Sequence, residues 1–148
     1  MQRRLAAIRK MIADVPRSKR PTAFIIVQIS PVWTAGRGTF QDEAIRAAGA
    51  INAGASVQDF KEFSTEKLLA ADPDFLLVTT MQGDLQQTKR EVLANPVLKR
   101  LTAAKRGRVL MLEADEIDRP GPRLVNAVET MARAFYPERF ASRKGGRG

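Results

Sequence analysis

The chain has 148 residues, 44% of them hydrophobic, enough for one domain with a real core and too apolar for a disordered segment. It has no cysteine and no histidine, which excludes disulfides and thiolate metal sites and removes the commonest general base and transition-metal ligand. The formal charge of +9 sits at the two ends: residues 1–20 hold seven Arg or Lys against Asp14, residues 138–148 hold four against Glu138, and 21–137 is balanced.

That distribution argues against a nucleic-acid role, which calls for a basic face on the folded body. No apolar run approaches the roughly 18 residues of a membrane span, and the basic N-terminus lacks the apolar stretch of a signal peptide. Arg3 to Val15 reads as a helix, with Leu5, Ile8, Ile12 and Val15 on one face and Pro16 as its stop. Arg17 to Pro21 is a polar connector. Thr22 to Ile29 is a near-continuous apolar strand, the pattern of a strand buried on both faces of a parallel sheet.

Pro31-Val-Trp-Thr-Ala-Gly-Arg-Gly-Thr-Phe40 then reads as a strand-to-helix loop. Gly36 and Gly38 allow a tight turn and close approach to a ligand. Trp33 offers a flat apolar face and Arg37 a planar cation. Thr39 is placed to cap the next helix, with Asp42 at its N3 position. The other reading of the loop is an ordinary turn under a tryptophan lid. No lysine follows Gly38, so it is not a P-loop, and Gln41 stands where a dinucleotide fingerprint needs a third glycine.

Thr39 to Ala48 reads as a helix with Phe40, Ala44, Ile45 and Ala48 inward, ended by Gly49. Ile51 to Phe63 reads as a loop with short extended pieces. Ser64 to Ala71 is a short helix, with Ser64 as its cap and Glu66 in its first turn, broken at Asp72-Pro-Asp74. Phe75 to Thr80 is a second buried strand, followed by the loop Met81-Gln-Gly83. Asp84 to Leu93 is helical, and Asn95-Pro96 caps another helix through Ala103. Lys105 to Gly107 turns into the strand Arg108 to Leu112, and Glu113 to Arg119 is an acidic loop. Pro120-Gly-Pro122 opens the last helix, with the stripe Leu124, Val128, Met131, Phe135. Pro137 ends that helix, and the basic residues to Gly148 read as a flexible tail.

Alternating strands and helices give an α/β fold: a three-layer, Rossmann-like lobe with a central, mainly parallel sheet and helices on both faces. Right-handed crossovers then bring the loops at Trp33–Thr39, Thr80–Gly83 and Glu113–Arg119 to one edge, where open α/β sheets bind ligands. Without His or Cys no nucleophile–base pair is visible, so the chain reads as a binding protein and not an enzyme. Asp115, Glu116 and Asp118 lack the spacing of a calcium loop and read as solvated.

Several phrases in order carry a resemblance: Thr34-Ala-Gly-Arg-Gly-Thr-Phe40, Ala47-Ala-Gly49 with Asn52, Phe63-Ser-Thr-Glu66-Lys-Leu-Leu, Ala71-Asp-Pro-Asp74, Asn95-Pro-Val, Arg119-Pro-Gly-Pro-Arg123 and Tyr136-Pro137. Together they resemble the C-terminal lobe of substrate-binding proteins of ABC importers for iron–siderophore, haem and cobalamin. Ala50 stands where a glycine commonly follows Gly49. The resemblance divides the chain into the end of an interlobe helix with its connector (1–20), the ligand-binding lobe (21–137) and the basic tail (138–148). It implies ligand contacts from Trp33, Thr34, Gly36, Arg37, Gly38 and Thr39, with lesser ones from Met81, Gln82, Asp118 and Arg119. It also implies that Glu66 docks against the importer's membrane subunits. The other reading of Glu66 is a helix-dipole carboxylate, and that of Arg119 and Arg123 is helix-start solvation or an ion pair with the acidic loop.

The implied setting is periplasmic or otherwise extracytoplasmic. The implied ligand is an iron chelate or metal tetrapyrrole, with no cofactor of the protein's own. The implied partners are importer permease subunits and an N-terminal lobe outside this chain. Tyr136 falls at the end of the last helix, so this lobe offers no obvious axial haem ligand. The alternative is a stand-alone α/β protein-interaction module.

Overall fold

A computed structural model describes residues 2–29, 31–80, 85–113 and 122–140. Met81, Gln82, Asp115, Glu116, Asp118, Arg119 and the tail from Ala141 lie outside the described residues. In chain order the elements are α1 (Gln2–Ile12), β1 (Thr22–Ile26), β2 (Trp33–Ala35), α2 (Phe40–Ala47), β3 (Ile51–Asn52), β4 (Phe60–Glu62), α3 (Thr65–Ala71), β5 (Phe75–Thr80), α4 (Leu85–Ala94), α5 (Thr102–Lys105), β6 (Val109–Glu113) and α6 (Pro122–Phe135). Short 3-10 turns lie at Arg17–Lys19 and Leu98–Arg100.

β3, β1, β5 and β6 form one sheet in that order, every pairing parallel. The central residues of β1, β5 and β6 are apolar because both faces are covered. Ala23, Ile25 and Leu77 pack on one side against Ile8 of α1, Ile45 of α2 and Val128 and Met131 of α6. Phe24, Ile26, Leu76 and Val78 pack on the other side against Leu68 of α3, Val92 of α4, and Leu98 and Leu101. The three parallel strands expected from the sequence are all present, sandwiched between helices. Side chains buried this completely contribute about 1.5–3 kcal/mol each, so the sheet dominates stability.

Three expectations need correction. The first strand stops at Ile26, and the chain folds back so that Trp33 N–H donates to Gln28 O (3.0 Å) and Val27 N–H to Trp33 O (2.9 Å). Trp33–Ala35 is therefore a short strand, not loop, and pairs antiparallel with β4. The helix expected from Asn95 through Ala103 is two pieces. Asn95 Oδ1 accepts from Val97 N–H (2.9 Å) and Leu98 N–H (3.1 Å), but Leu101 adopts extended backbone between the pieces while burying its side chain. Phe40, expected inward, is 41% exposed, and Gln41 and Asp42 are buried instead. The cap sets that phase: Thr39 Oγ1 donates to Gly36 O (2.8 Å) and accepts from Asp42 N–H (3.0 Å), which turns Asp42 inward.

Asp72 joins α3 to α5 from a left-handed backbone (φ 41°). Its carboxylate accepts from the Thr102 hydroxyl (2.6 Å) and the Thr102 N–H (2.9 Å). Those bonds, in that order, and then the Lys105 and Arg106 charges hold its pKa below the usual carboxylate value. A depressed folded-state pKa means stability that is present above the ordinary carboxylate range and lost as pH falls through the folded value. Asp72→Ala should cost about 1–2 kcal/mol at neutral pH, from the lost bonds and an alanine in left-handed backbone. In urea titrations the gap from the parent chain should narrow in acid, leaving only the backbone part.

Candidate functional site

The parallel sheet places the carboxyl ends of its strands on one edge, and that edge is stepped. β3 ends at Asn52, in register with Ala23, while β1 runs on to Ile26. Residues 34–39 lie over the step and are tied into it. The Thr34 hydroxyl donates to Ile25 O (2.7 Å). Asn52 Nδ2 donates to Ala35 O (3.1 Å) and Asp42 Oδ1 (2.9 Å), and Asn52 Oδ1 accepts from Gly54 N–H (2.8 Å). Asp42 Oδ2 in turn meets Arg46 at 3.0 Å. Thr34, Thr39, Asp42 and Asn52 are all buried, so these polar groups are fixed by one another and not by solvent.

The glycines divide the work differently from the sequence reading. A Cβ on Gly36 would lie 2.1 Å from Val57 O, so this glycine lets two stretches of backbone meet, not backbone and ligand. The meeting is sealed by Gly36 N–H to Asp59 O, Arg37 N–H to Val57 O and Asp59 N–H to Arg37 O, each 2.9 Å. Gly38 is needed for its φ of +87°, a conformation other residues rarely adopt.

Of the residues expected to meet a ligand, Trp33 is half-buried, Arg37 and Gly38 are exposed, and Thr34, Gly36 and Thr39 are buried within the segment. Strand β4 adds side chains that the sequence reading missed. Phe60 is 46% exposed opposite Ala35, Lys61 is exposed opposite Thr34, and Glu62 is exposed opposite Trp33. Strand alternation puts Trp33, Phe60 and Glu62 on one face of this small sheet and Lys61 with Thr34 on the other. The edge thus offers an indole, an exposed phenyl and a carboxylate, with Arg37 exposed two residues beyond Ala35. Glu66 is exposed in the first turn of α3, whose cap Ser64 Oγ accepts from Lys67 N–H (3.3 Å). Arg123 lies 3.8 Å from Glu113 across the mouth of the acidic loop.

Among the described residues no three carboxylates gather to hold a metal ion. Tyr136 is occupied elsewhere: its hydroxyl donates to Gly49 O at the far end of α2, and burial raises its pKa. No described helix is long and apolar enough to cross a membrane.

These features define an α/β lobe that presents a tightly tied segment, with a tryptophan and an arginine, on the carboxyl edge of a parallel sheet. The chain belongs to the periplasmic binding protein family, whose profile matches residues 1–116. It is similar to a cobalamin-binding protein of Halobacterium salinarum, with 33% identity over 141 residues, covering 92% of this chain and 37% of that protein. An uncharacterized ABC transporter substrate-binding lipoprotein of Bacillus subtilis is 27% identical, over 95% of this chain and 43% of that one. The crystal structure of a periplasmic haem-binding protein from Pseudomonas aeruginosa superimposes with a TM-score of 0.82 at 28% identity, over 93% of this chain and 50% of that one. The chain therefore spans between about a third and a half of these relatives' lengths.

Proposed function

We propose that this chain is the C-terminal ligand-binding lobe of an extracytoplasmic solute-binding protein that delivers a metal chelate or metal tetrapyrrole to an ABC importer. The observation that carries the reading is the Trp33–Arg37 segment, tied down on the strand-end edge by Asn52 and Thr34 while Trp33 and Arg37 keep access to solvent. A flat ring and a planar cation suit a flat, partly anionic ligand. Thr34, Gly36 and Thr39 shape the segment, and Trp33, Arg37 and Gly38 meet the ligand, joined by Phe60 on the same strand face as Trp33. The similarity to cobalamin- and haem-binding proteins favours this over a stand-alone interaction module. The work is non-covalent capture, with a second lobe closing over the ligand, since one face alone cannot bury most of a ligand's surface.

Spectroscopic titration of the purified lobe with cobalamin, haem and a ferric hydroxamate tests the reading. Weak, saturable binding of one class, strengthened when the lobe is joined to a first lobe, is the expected result. No saturable binding of any of them, in either form, overturns it.

Glu66 is the proposed transporter contact, an exposed carboxylate at a helix start meeting permease arginines. Glu66→Arg in a two-lobed protein carrying this lobe should weaken association with the importer by about tenfold while leaving ligand affinity unaltered. Equal binding of parent and variant to importer-containing nanodiscs would assign Glu66 to the helix dipole alone.

A further inference from the structure

The folded lobe gathers basic residues that are far apart in the chain. Arg17 and Lys19 are exposed in the turn that leads into β1, and Lys105, Arg106 and Arg108 are exposed in the turn that leads into β6. β1 pairs with β5 through Ala23 and Phe75, and Leu76 N–H bonds to Arg108 O, so the two turns share one edge. Two strand spacings separate them, about 10 Å. The first turn follows α1, on one face of the sheet, and the second follows α5, on the other. The cations therefore span the end of all three layers, opposite the ligand edge.

The local charge is unbalanced. The described carboxylates here are fewer. Asp72 and Asp74 keep their charge while accepting from Thr102 and Thr22. Asp14 is paired with Arg139 at 2.7 Å, and Glu138 lies beside that pair. Against these stand the five cations with Arg20 and Arg139. Among the described residues none of the five cations has a carboxylate within ion-pair distance. The tip of the second turn is open: nothing lies within 4 Å of a Cβ placed on Gly107. The aromatic ring here, Phe75, is covered by Arg108 at 5.5 Å and packed on Phe135 at 5.0 Å, so it is not left to stack on a nucleic-acid base. Cations spread over a broad end, with the Phe75 ring already covered, suit a flat anionic surface.

We propose that this strand-start edge is a docking surface for the anionic headgroups of a membrane, holding the lobe beside the bilayer independently of its ligand edge. Cations near such a surface are attracted to it, and the attraction is screened within about 10 Å at moderate salt.

Sedimentation of the chain with vesicles tests it. Equal mixtures of phosphatidylcholine and phosphatidylglycerol should bind the chain at low salt and release it at about 0.5 M salt, while pure phosphatidylcholine should not bind it. Arg17→Glu with Arg106→Glu, one change from each turn, should weaken binding at least tenfold. Arg3→Glu with Arg90→Glu, the same charge change on exposed positions of α1 and α4, should change it less than threefold. If the first pair disturbs the circular dichroism spectrum, Arg17→Gln with Arg106→Gln replaces it, with a smaller loss expected. Equal binding to neutral vesicles overturns the proposal, as does equal weakening by both pairs, which would mean net charge alone. Duplex DNA that binds more tightly than vesicles and displaces them would make the edge a nucleic-acid surface instead.

Discussion

Asn52→Leu is expected to destabilise the lobe by about 3 kcal/mol and to loosen the segment that carries Trp33. Leucine has the same branching and is the larger side chain, so the cost is not a cavity. What is lost is the one side chain that serves Ala35 O, Asp42 Oδ1 and Gly54 N–H together. Each partner is left buried without that bond, at about 1–3 kcal/mol apiece, and the costs do not add fully because the groups share one network. Asp42 keeps Arg46, but that guanidinium is largely solvated and the carboxylate is not. The expected measurement is a lower urea midpoint at unchanged slope, with a red shift in emission from the chain's single tryptophan. A change under about 1 kcal/mol with unaltered emission would mean that main-chain bonds to Val57 and Asp59 hold the segment by themselves.

What could be read in the sequence follows the range of the interactions. Phe75 to Thr80 declared itself because a strand covered on both faces must be apolar at every position, whatever its neighbours. Thr39 and Asp42 were legible because a helix cap is a bond between residues three apart. Gly36 was misread because its reason is Val57 O, which arrives from another stretch of chain. Phe40 was misread because Asp42, drawn inward by Asn52, sets the rotation of α2. Strands β2 and β4 have three residues each, too few for a period of two to show. Phe60 and Lys61 were therefore missed with their strand, although an exposed aromatic beside charges was the signal that could have found them. The basic edge was hidden by counting charge along the chain, since Arg17 and Arg106 become neighbours only through the register of β1, β5 and β6.

Trp33→Ala in a two-lobed protein carrying this lobe should reduce ligand affinity by about 1–3 kcal/mol, the range for losing one good aromatic contact. That is a loss of roughly fivefold to 150-fold in Kd. The substitution isolates the ring. Trp33 is held by its backbone, through bonds with Val27 and Gln28 and pairing with Glu62, all of which survive truncation. Thr34 and Asn52 continue to fix the residues that follow. Because the ring is only half-buried, its removal should lower stability by no more than about 1 kcal/mol. Arg37→Ala should weaken an anionic ligand and spare a neutral one, because the guanidinium offers charge where the indole offers area. Titration and urea unfolding of the same samples separate the two readings of this tryptophan. A large affinity loss with a small stability loss assigns the ring to the ligand. The reverse pattern makes it a lid over the ends of β1 and β4 and moves the binding surface to Phe60 and Arg37.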